Sequence, residues 1–176
     1  MIKRIAFVVV AALLTSTLVA APAQAQTLVT CASQITLVEF SPGLTNTAQT
    51  VDVSIAGIFS CIVVEGGPPF EVAELDTTVE DVPALSCFTL LTGEEDATTL
   101  DWDDGEDSSH VEFALEAVVL AGTTVLNISG FVDDGVFEGA DVQIDVEAVA
   151  PVTECLSQDG VTDAVGLGEM ALIDLP

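Results

Sequence analysis

The chain has 176 residues, enough for one domain, and half of them are apolar. It carries 29 acidic residues against 2 basic ones, which gives a formal net charge of −27. This balance excludes nucleic acid and anionic membranes as expected partners, because both are bound through Lys or Arg.

The first 25 residues have the three-part pattern of a secretory signal peptide. Lys3 and Arg4 form a cationic start, an apolar stretch follows, and small residues permit cleavage between Ala25 and Gln26. An uncleaved membrane anchor is disfavoured because the apolar stretch is short and contains three hydroxyl residues. We therefore predict a secreted, extracellular protein whose single mature domain spans residues 26–176.

The mature chain has no lysine or arginine, since both basic residues lie in the signal peptide. Removing these two positive charges from −27 leaves −29. Such a chain repels itself when compact, and salt weakens the repulsion because the Debye length falls from about 10 Å at 0.1 M to about 3 Å at 1 M. We expect an acidic surface adapted to high salt, as in a halophilic source. Calcium binding by the same carboxylates is the alternative explanation.

Apolar residues recur at every second position of the mature chain, which predicts β-strands with one buried and one solvated face. The clearest runs are Val51, Val53 and Ile55, then Val111, Phe113, Leu115 and Ala117, then Val142, Ile144, Val146 and Ala148. The run from Val111 also allows a helix, but the turn before it and the β-branched residues after it favour a strand. We predict eight strands, with 168–174 as an optional ninth, at about 34–40, 49–60, 70–79, 84–91, 97–103, 109–119, 123–132 and 140–149.

Turn sequences separate these segments, among them Ser41-Pro42-Gly43 and the hairpin sequence Asp104-Gly105. Two packed antiparallel sheets would bury one face of every strand. We therefore predict an all-β fold, an antiparallel β-sandwich of about eight strands that is immunoglobulin-like or jelly-roll-like.

The predicted hairpin tip is the densest acidic segment. Calcium takes roughly six to eight oxygen ligands, so this tip is a tentative calcium site. An EF-hand loop has glycine at its sixth position, whereas Gly105 is the fifth residue here, which favours a solvated acidic turn. No other cofactor is expected. The candidate ligands are Asp101, Asp103, Asp104, Glu106 and Asp107.

His110 is the single histidine, and Ser108 and Ser109 precede it. A Ser-His-Asp triad is disfavoured because the chain has no Gly-x-Ser-x-Gly elbow and adjacent residues of a strand point to opposite faces. Trp102 shares its alternation phase with Leu100, so we expect a buried core residue rather than an exposed binding residue.

Four cysteines remain in the mature chain, and an even number in an exported protein predicts two disulfides. Three connectivities are open, of which we favour Cys61 with Cys87 and Cys31 with Cys155. Lipidation of Cys31 is disfavoured because it would leave an odd number of thiols. The spacings match no zinc or redox motif.

Several turn-and-strand segments, 40–47, 99–105 with Ser108 and Ser109, 128–132 and 135–142, resemble a group of uncharacterised small secreted actinomycete proteins. Those proteins are rich in Thr and Gly where this chain has Asp and Glu. The resemblance implies that the acidic Asp-Gly tip replaces a neutral Asn-Gly turn, which favours surface adaptation over an inherited calcium site. It implies no particular activity.

The leading functional hypothesis is a secreted, non-catalytic module that binds an extracellular ligand or cell-surface component and is adapted to salt. Its basis is a clear β pattern without a nucleophile-base pair or a cofactor motif. The alternatives are a calcium-dependent binding or adhesion module and a small secreted hydrolase.

Overall fold

The computed structural model describes residues 26–63, 69–88, 90–103, 105–120, 123–150 and 152–174. The predicted signal peptide, residues 1–25, lies outside the described residues. Within the described part of the chain, the secondary structure consists of eight β-strands and a short 3₁₀ helix at Val152–Leu156.

The strands are β1 Gln26–Leu44, β2 Gln49–Val63, β3 Val72–Leu85, β4 Leu90–Trp102, β5 Asp107–Leu120, β6 Thr123–Gly135, β7 Asp141–Val149 and β8 Val161–Asp174. Each strand pairs antiparallel with its neighbours in sequence, and β1 also pairs with β8. The sheet therefore closes into an up-and-down barrel.

The all-β antiparallel class and the two disulfides are confirmed, whereas the predicted sandwich, immunoglobulin-like or jelly-roll-like, is wrong because the single sheet closes on itself. Alternation shows only that each strand has one buried face, and the interior of a barrel meets that requirement as well as the space between two sheets. The barrel differs from the predicted sandwich in the length of its strands. β1 has 19 residues and β2 has 15, long enough to tilt and curve around a barrel.

Three predicted boundaries are also wrong. The predicted turn at Ser41-Pro42-Gly43 lies inside β1, in a stretch where the register with β8 shifts and the missing N–H of Pro42 is tolerated. The predicted strand 84–91 is instead the end of β3, a turn and the start of β4. The optional ninth strand is the second half of β8.

Apolar side chains fill the barrel interior, and aromatic rings close one end of it. Trp102 is fully buried, as predicted, and stacks on Phe70 with 5.3 Å between ring centroids. Phe137 meets the Trp102 ring edge-on, also at 5.3 Å. The indole Nε1–H donates to Ser109 Oγ at 2.9 Å, and the Ser109 hydroxyl donates to the carbonyl of Val136. The one polar atom of the indole is thereby satisfied inside the core.

The disulfides join Cys31 to Cys61 and Cys87 to Cys155, so the favoured pairing of Cys61 with Cys87 and Cys31 with Cys155 is wrong. Cys31 and Cys61 are direct register partners in β1 and β2, with 4.0 Å between their Cα atoms. The strand register that brings them together depends on the β-bulge in β1, which a list of cysteine spacings does not contain.

The second disulfide ties two connections at the end of the barrel opposite the aromatic rings. Cys87 lies between β3 and β4, and its backbone N–H donates to the carbonyl of Thr45 at 2.8 Å. Cys155 lies in the 3₁₀ helix between β7 and β8. β3 and β4 are paired only from Ala73 to Leu75, so this disulfide anchors the connection next to the least paired strand interface.

Candidate functional site

The outer face of the barrel carries the acidic residues. In β7, for example, Ile144 and Val146 point inward while Asp145 and Glu147 are exposed. No Asp or Glu side chain in the described part of the chain is buried. The negative charge therefore forms a layer around an apolar core.

In the described part of the chain, three pairs of carboxylates on this layer face one another across neighbouring strands. Like charges directly opposite on one face of a sheet destabilise it. Among the described side chains, only the imidazole of His110 can carry a positive charge. The surface thus contains specific local repulsions between carboxylates. The pairs are Asp145 with Glu169, Glu39 with Asp163, and Glu74 with Asp101.

His110 lies on the outer face of β5 and forms an ion pair with Asp133, with 2.5 Å between Nδ1 and Oδ1. Ser109 points into the core, where it binds Trp102, and no hydrogen bond joins His110 to Ser108 or Ser109. Ser109 and His110 therefore point to opposite faces of β5, as predicted. Asp133 thus orients the imidazole, whereas the Ser109 hydroxyl points away from it into the core.

The hydrogen bond to Asp133 raises the pKa of His110 above its usual value of about 6.5. The negative charges of Asp133, Glu112 and Asp134 act in the same direction, and partial desolvation opposes them. Because the folded-state pKa is raised, the ion pair stabilises the fold fully at pH values below the unfolded-state pKa. That stabilisation is lost as the pH rises through the folded-state pKa.

An NMR titration of the His110 ring is expected to give a pKa above the usual value, and Asp133→Asn is expected to lower it. Asp134→Asn is the matched control, because Asp134 is the register partner of His110 but acts only through its charge. A smaller decrease is expected for this control. An unchanged His110 pKa in Asp133→Asn would show that the ion pair does not form in solution.

The structure describes four of the five candidate calcium ligands, and all four are exposed: Asp101, Asp103, Glu106 and Asp107. Asp104 lies outside the described residues. Among the residues that are described, no group of three or more His, Cys, Asp or Glu side chains is placed to hold a metal ion. Calcium binding at this tip, with Asp104 included, stays a prediction.

One carboxylate of the tip has a role that sequence reasoning missed. Asp103 Oδ1 accepts the backbone N–H groups of Glu71 and Val72, at 2.9 and 3.0 Å. The backbone N–H of Asp103 in turn donates to the carbonyl of Val72 at 3.0 Å. Asp103 thus fixes the tip of the β4–β5 hairpin to the start of β3. A positive φ of 51° at Asp103 accompanies this turn, in the region that Asp adopts more readily than most residues.

Two shallow grooves also lie on the outer face. The first, about 450 Å³, crosses β2, β1, β8 and β7 and is lined by Ile62, Met170 and several smaller or polar residues together with Asp145 and Glu169. The second, about 620 Å³, crosses β4, β5 and β6, with Glu112 and the half-exposed Phe131 on its walls. Both have the volume of a small-ligand site but not its usual enclosure by apolar walls.

A further feature that the sequence analysis missed is a group of exposed apolar side chains on the same outer face. The clearest sign of this group in the sequence lies in β8. There Val165 and Leu167 interrupt the alternation and place apolar residues on both faces of the strand. We define the outer apolar patch as five exposed residues together with the half-buried Leu37: Ile35, Leu37, Ile58, Val149, Val165 and Leu167.

Comparison with family models, curated proteins and solved structures finds no match to this chain. The described part of the chain also contains no helix with the length and hydropathy needed to cross a lipid bilayer.

Proposed function

We propose that the protein is a secreted, non-catalytic binding module that works in salt-rich surroundings and contacts its ligand through the outer face of the barrel. Ligand contact is assigned to the outer face because the barrel interior formed by the described residues has no room for a ligand. Apolar side chains fill the interior, and the Trp102 cluster closes one end of it. The two disulfides are consistent with an extracellular location.

The proposed adaptation to high salt rests on the facing carboxylate pairs. Each pair places two negative charges on adjacent strands without a lysine or arginine in the mature chain to separate them. Mobile cations can screen such pairs, and the screening is strongest in molar salt. A protein that keeps this surface is best suited to a medium that supplies those cations.

The mature protein, with both disulfides formed, is expected to melt at least about 5 °C higher in 1 M than in 0.01 M salt, because salt shortens the range of carboxylate repulsion. Potassium and sodium chloride should act alike. Differential scanning calorimetry in the two salts measures this effect. A third sample with millimolar calcium at low ionic strength tests specific coordination.

A matched pair of variants locates the effect. Glu169→Gln removes one member of the facing pair with Asp145 and should stabilise the protein by about 0.2–1 kcal/mol in low salt, with little gain in 1 M salt. Glu147→Gln removes an equal charge whose register partners are Leu167 and Val125, so its effect should be smaller. Equal melting temperatures in ion-free and molar salt, or full stabilisation by millimolar calcium alone, would contradict the proposal.

The non-catalytic part of the proposal rests on the geometry around His110. The imidazole is exposed and held by Asp133, while Ser109 is turned into the core. Turnover of a generic ester or glycoside substrate that disappears in His110→Ala would contradict this part and support a secreted hydrolase instead.

A further inference from the structure

The outer apolar patch is continuous across four strands. Val165 is the register partner of both Leu37 in β1 and Val149 in β7. Leu167 lies two positions further along the same face of β8, next to the β1 bulge that contains Ile35. Ile58 lies opposite this bulge on β2. The six residues therefore occupy adjoining positions on one side of the barrel.

Four of the six side chains are more than half exposed, so they do not belong to the apolar core. Ile35 is 66% exposed, Ile58 61%, Leu167 61% and Val149 59%. Single exposed apolar residues are common on protein surfaces, but contiguous groups mark interaction sites. Hydrating this group is unfavourable, and the high salt in which we expect the protein to work does not relieve that penalty. The patch is therefore a candidate docking surface.

Carboxylates border the patch in each direction. Glu39 follows Leu37 on the outer face of β1, and Asp163 and Glu169 flank the patch along β8. Glu147 is the register partner of Leu167 on β7, and Glu74 is the register partner of Ile58 on β3. All five carboxylates are exposed. The surface thus combines an apolar centre with a rim whose charged side chains are all negative.

This rim decides between two kinds of occupant. A second copy of the chain would bring two negative rims together, and like-charge contacts across an interface disfavour association. A partner with lysine or arginine around an apolar segment would instead match both parts of the surface. Complementary charge would speed association, while apolar burial would persist in salt that screens the charges.

We propose that the outer apolar patch docks a polypeptide segment whose apolar side chains are flanked by lysine or arginine. This partner rests on the proposed function as a binding module, but its test is separate from the melting experiment. A protein whose stability does not depend on salt concentration could still bind such a segment. Conversely, a protein that requires salt could fail to bind it.

The test uses a fluorescent amphipathic peptide of leucine and lysine and measures its anisotropy with the mature protein. A peptide with glutamine in place of leucine is expected to bind at least about tenfold more weakly in 1 M potassium chloride, because only apolar contacts remain there. A peptide with glutamate in place of lysine is expected to bind at least about tenfold more weakly in 0.1 M salt, because it meets the negative rim.

Two double variants locate the binding site. Ile58→Thr with Leu167→Thr should weaken the leucine-lysine peptide about tenfold, since threonine retains strand propensity but loses apolar area. Ile62→Thr with Phe131→Thr is the matched control, because these residues are also apolar and exposed on the outer face but lie outside the patch. Its affinity should stay within about twofold of the wild-type protein. Unchanged melting temperatures would show that both variants fold.

Three results would overturn the proposal. The first is equal binding of the leucine and glutamine peptides in molar salt, and the second is equal weakening by both double variants. The third is self-association of the protein through the outer apolar patch. Sedimentation velocity should show a monomer, and a dimer that dissociates in the Ile58→Thr, Leu167→Thr variant would assign the patch to self-association.

Discussion

Replacing Trp102 with alanine is expected to lower the free energy of unfolding by about 3–5 kcal/mol. The indole is fully buried, packs against the rings of both Phe70 and Phe137, and donates a hydrogen bond to Ser109. Alanine would leave a cavity at the end of the barrel and remove both ring contacts. The pairing of β3 with β4 includes Trp102 itself, so the cavity adjoins the strand interface with the fewest partners.

Urea unfolding in 1 M potassium chloride measures this loss without a large contribution from carboxylate repulsion. Phe131→Ala is the matched control, because Phe131 is an aromatic residue of β6 that is 44% exposed. Its cost should be about 1 kcal/mol or less. Trp102→Phe should fall between the two, because it keeps a ring but loses the indole N–H. If Trp102→Ala cost no more than Phe131→Ala, the ring cluster would not stabilise the barrel end.

The strand faces were predictable because a two-residue period depends only on local sequence. Val51, Val53 and Ile55 are buried as predicted, and so are Val142 and Ile144. The run from Val111 to Ala117 forms a strand and not a helix, although its glutamates have helical spacing. In each case the apolar phase alone determines which side chains enter the core.

The closure of the sheet could not be predicted in the same way, because it depends on pairing between the two ends of the chain. The contact of β1 with β8 joins residues such as Cys31 and Met170, which no local pattern relates. The predicted first strand began at residue 34 and omitted the half of β1 that contains Cys31. Without this half, the pairing of Cys31 with Cys61 could not be anticipated.

The candidate site was also only partly predictable from local sequence. The excess of carboxylates was visible in the composition, but the facing pairs depend on register, as for Asp145 and Glu169. The outer apolar patch was hidden for a different reason. The predicted strand began at residue 168, after Val165 and Leu167. Neither residue was therefore assigned to a face of a strand. Exposed apolar residues become informative only when neighbouring strands place them side by side.

Removing the Cys87–Cys155 disulfide is expected to lower the free energy of unfolding by about 4 kcal/mol, and removing Cys31–Cys61 by roughly 0.7 kcal/mol less. The sequence separations are 68 and 30 residues, so the first disulfide restricts the unfolded chain more strongly. The folded state adds to this difference. Cys31 and Cys61 remain neighbours through the β1–β2 ladder, whereas Cys87 and Cys155 belong to separate connections.

Two double alanine variants, compared by urea unfolding in 1 M potassium chloride, measure these losses. Each variant is the control for the other, because both remove two sulfur atoms and leave one disulfide intact. Hydrogen exchange should show faster opening of β3 beyond Leu75 in the variant without Cys87, where β3 lacks pairing with β4. If the loss of Cys31–Cys61 were the more damaging, the β1–β2 ladder would depend on its crosslink, and the weakest part of the barrel would lie there instead.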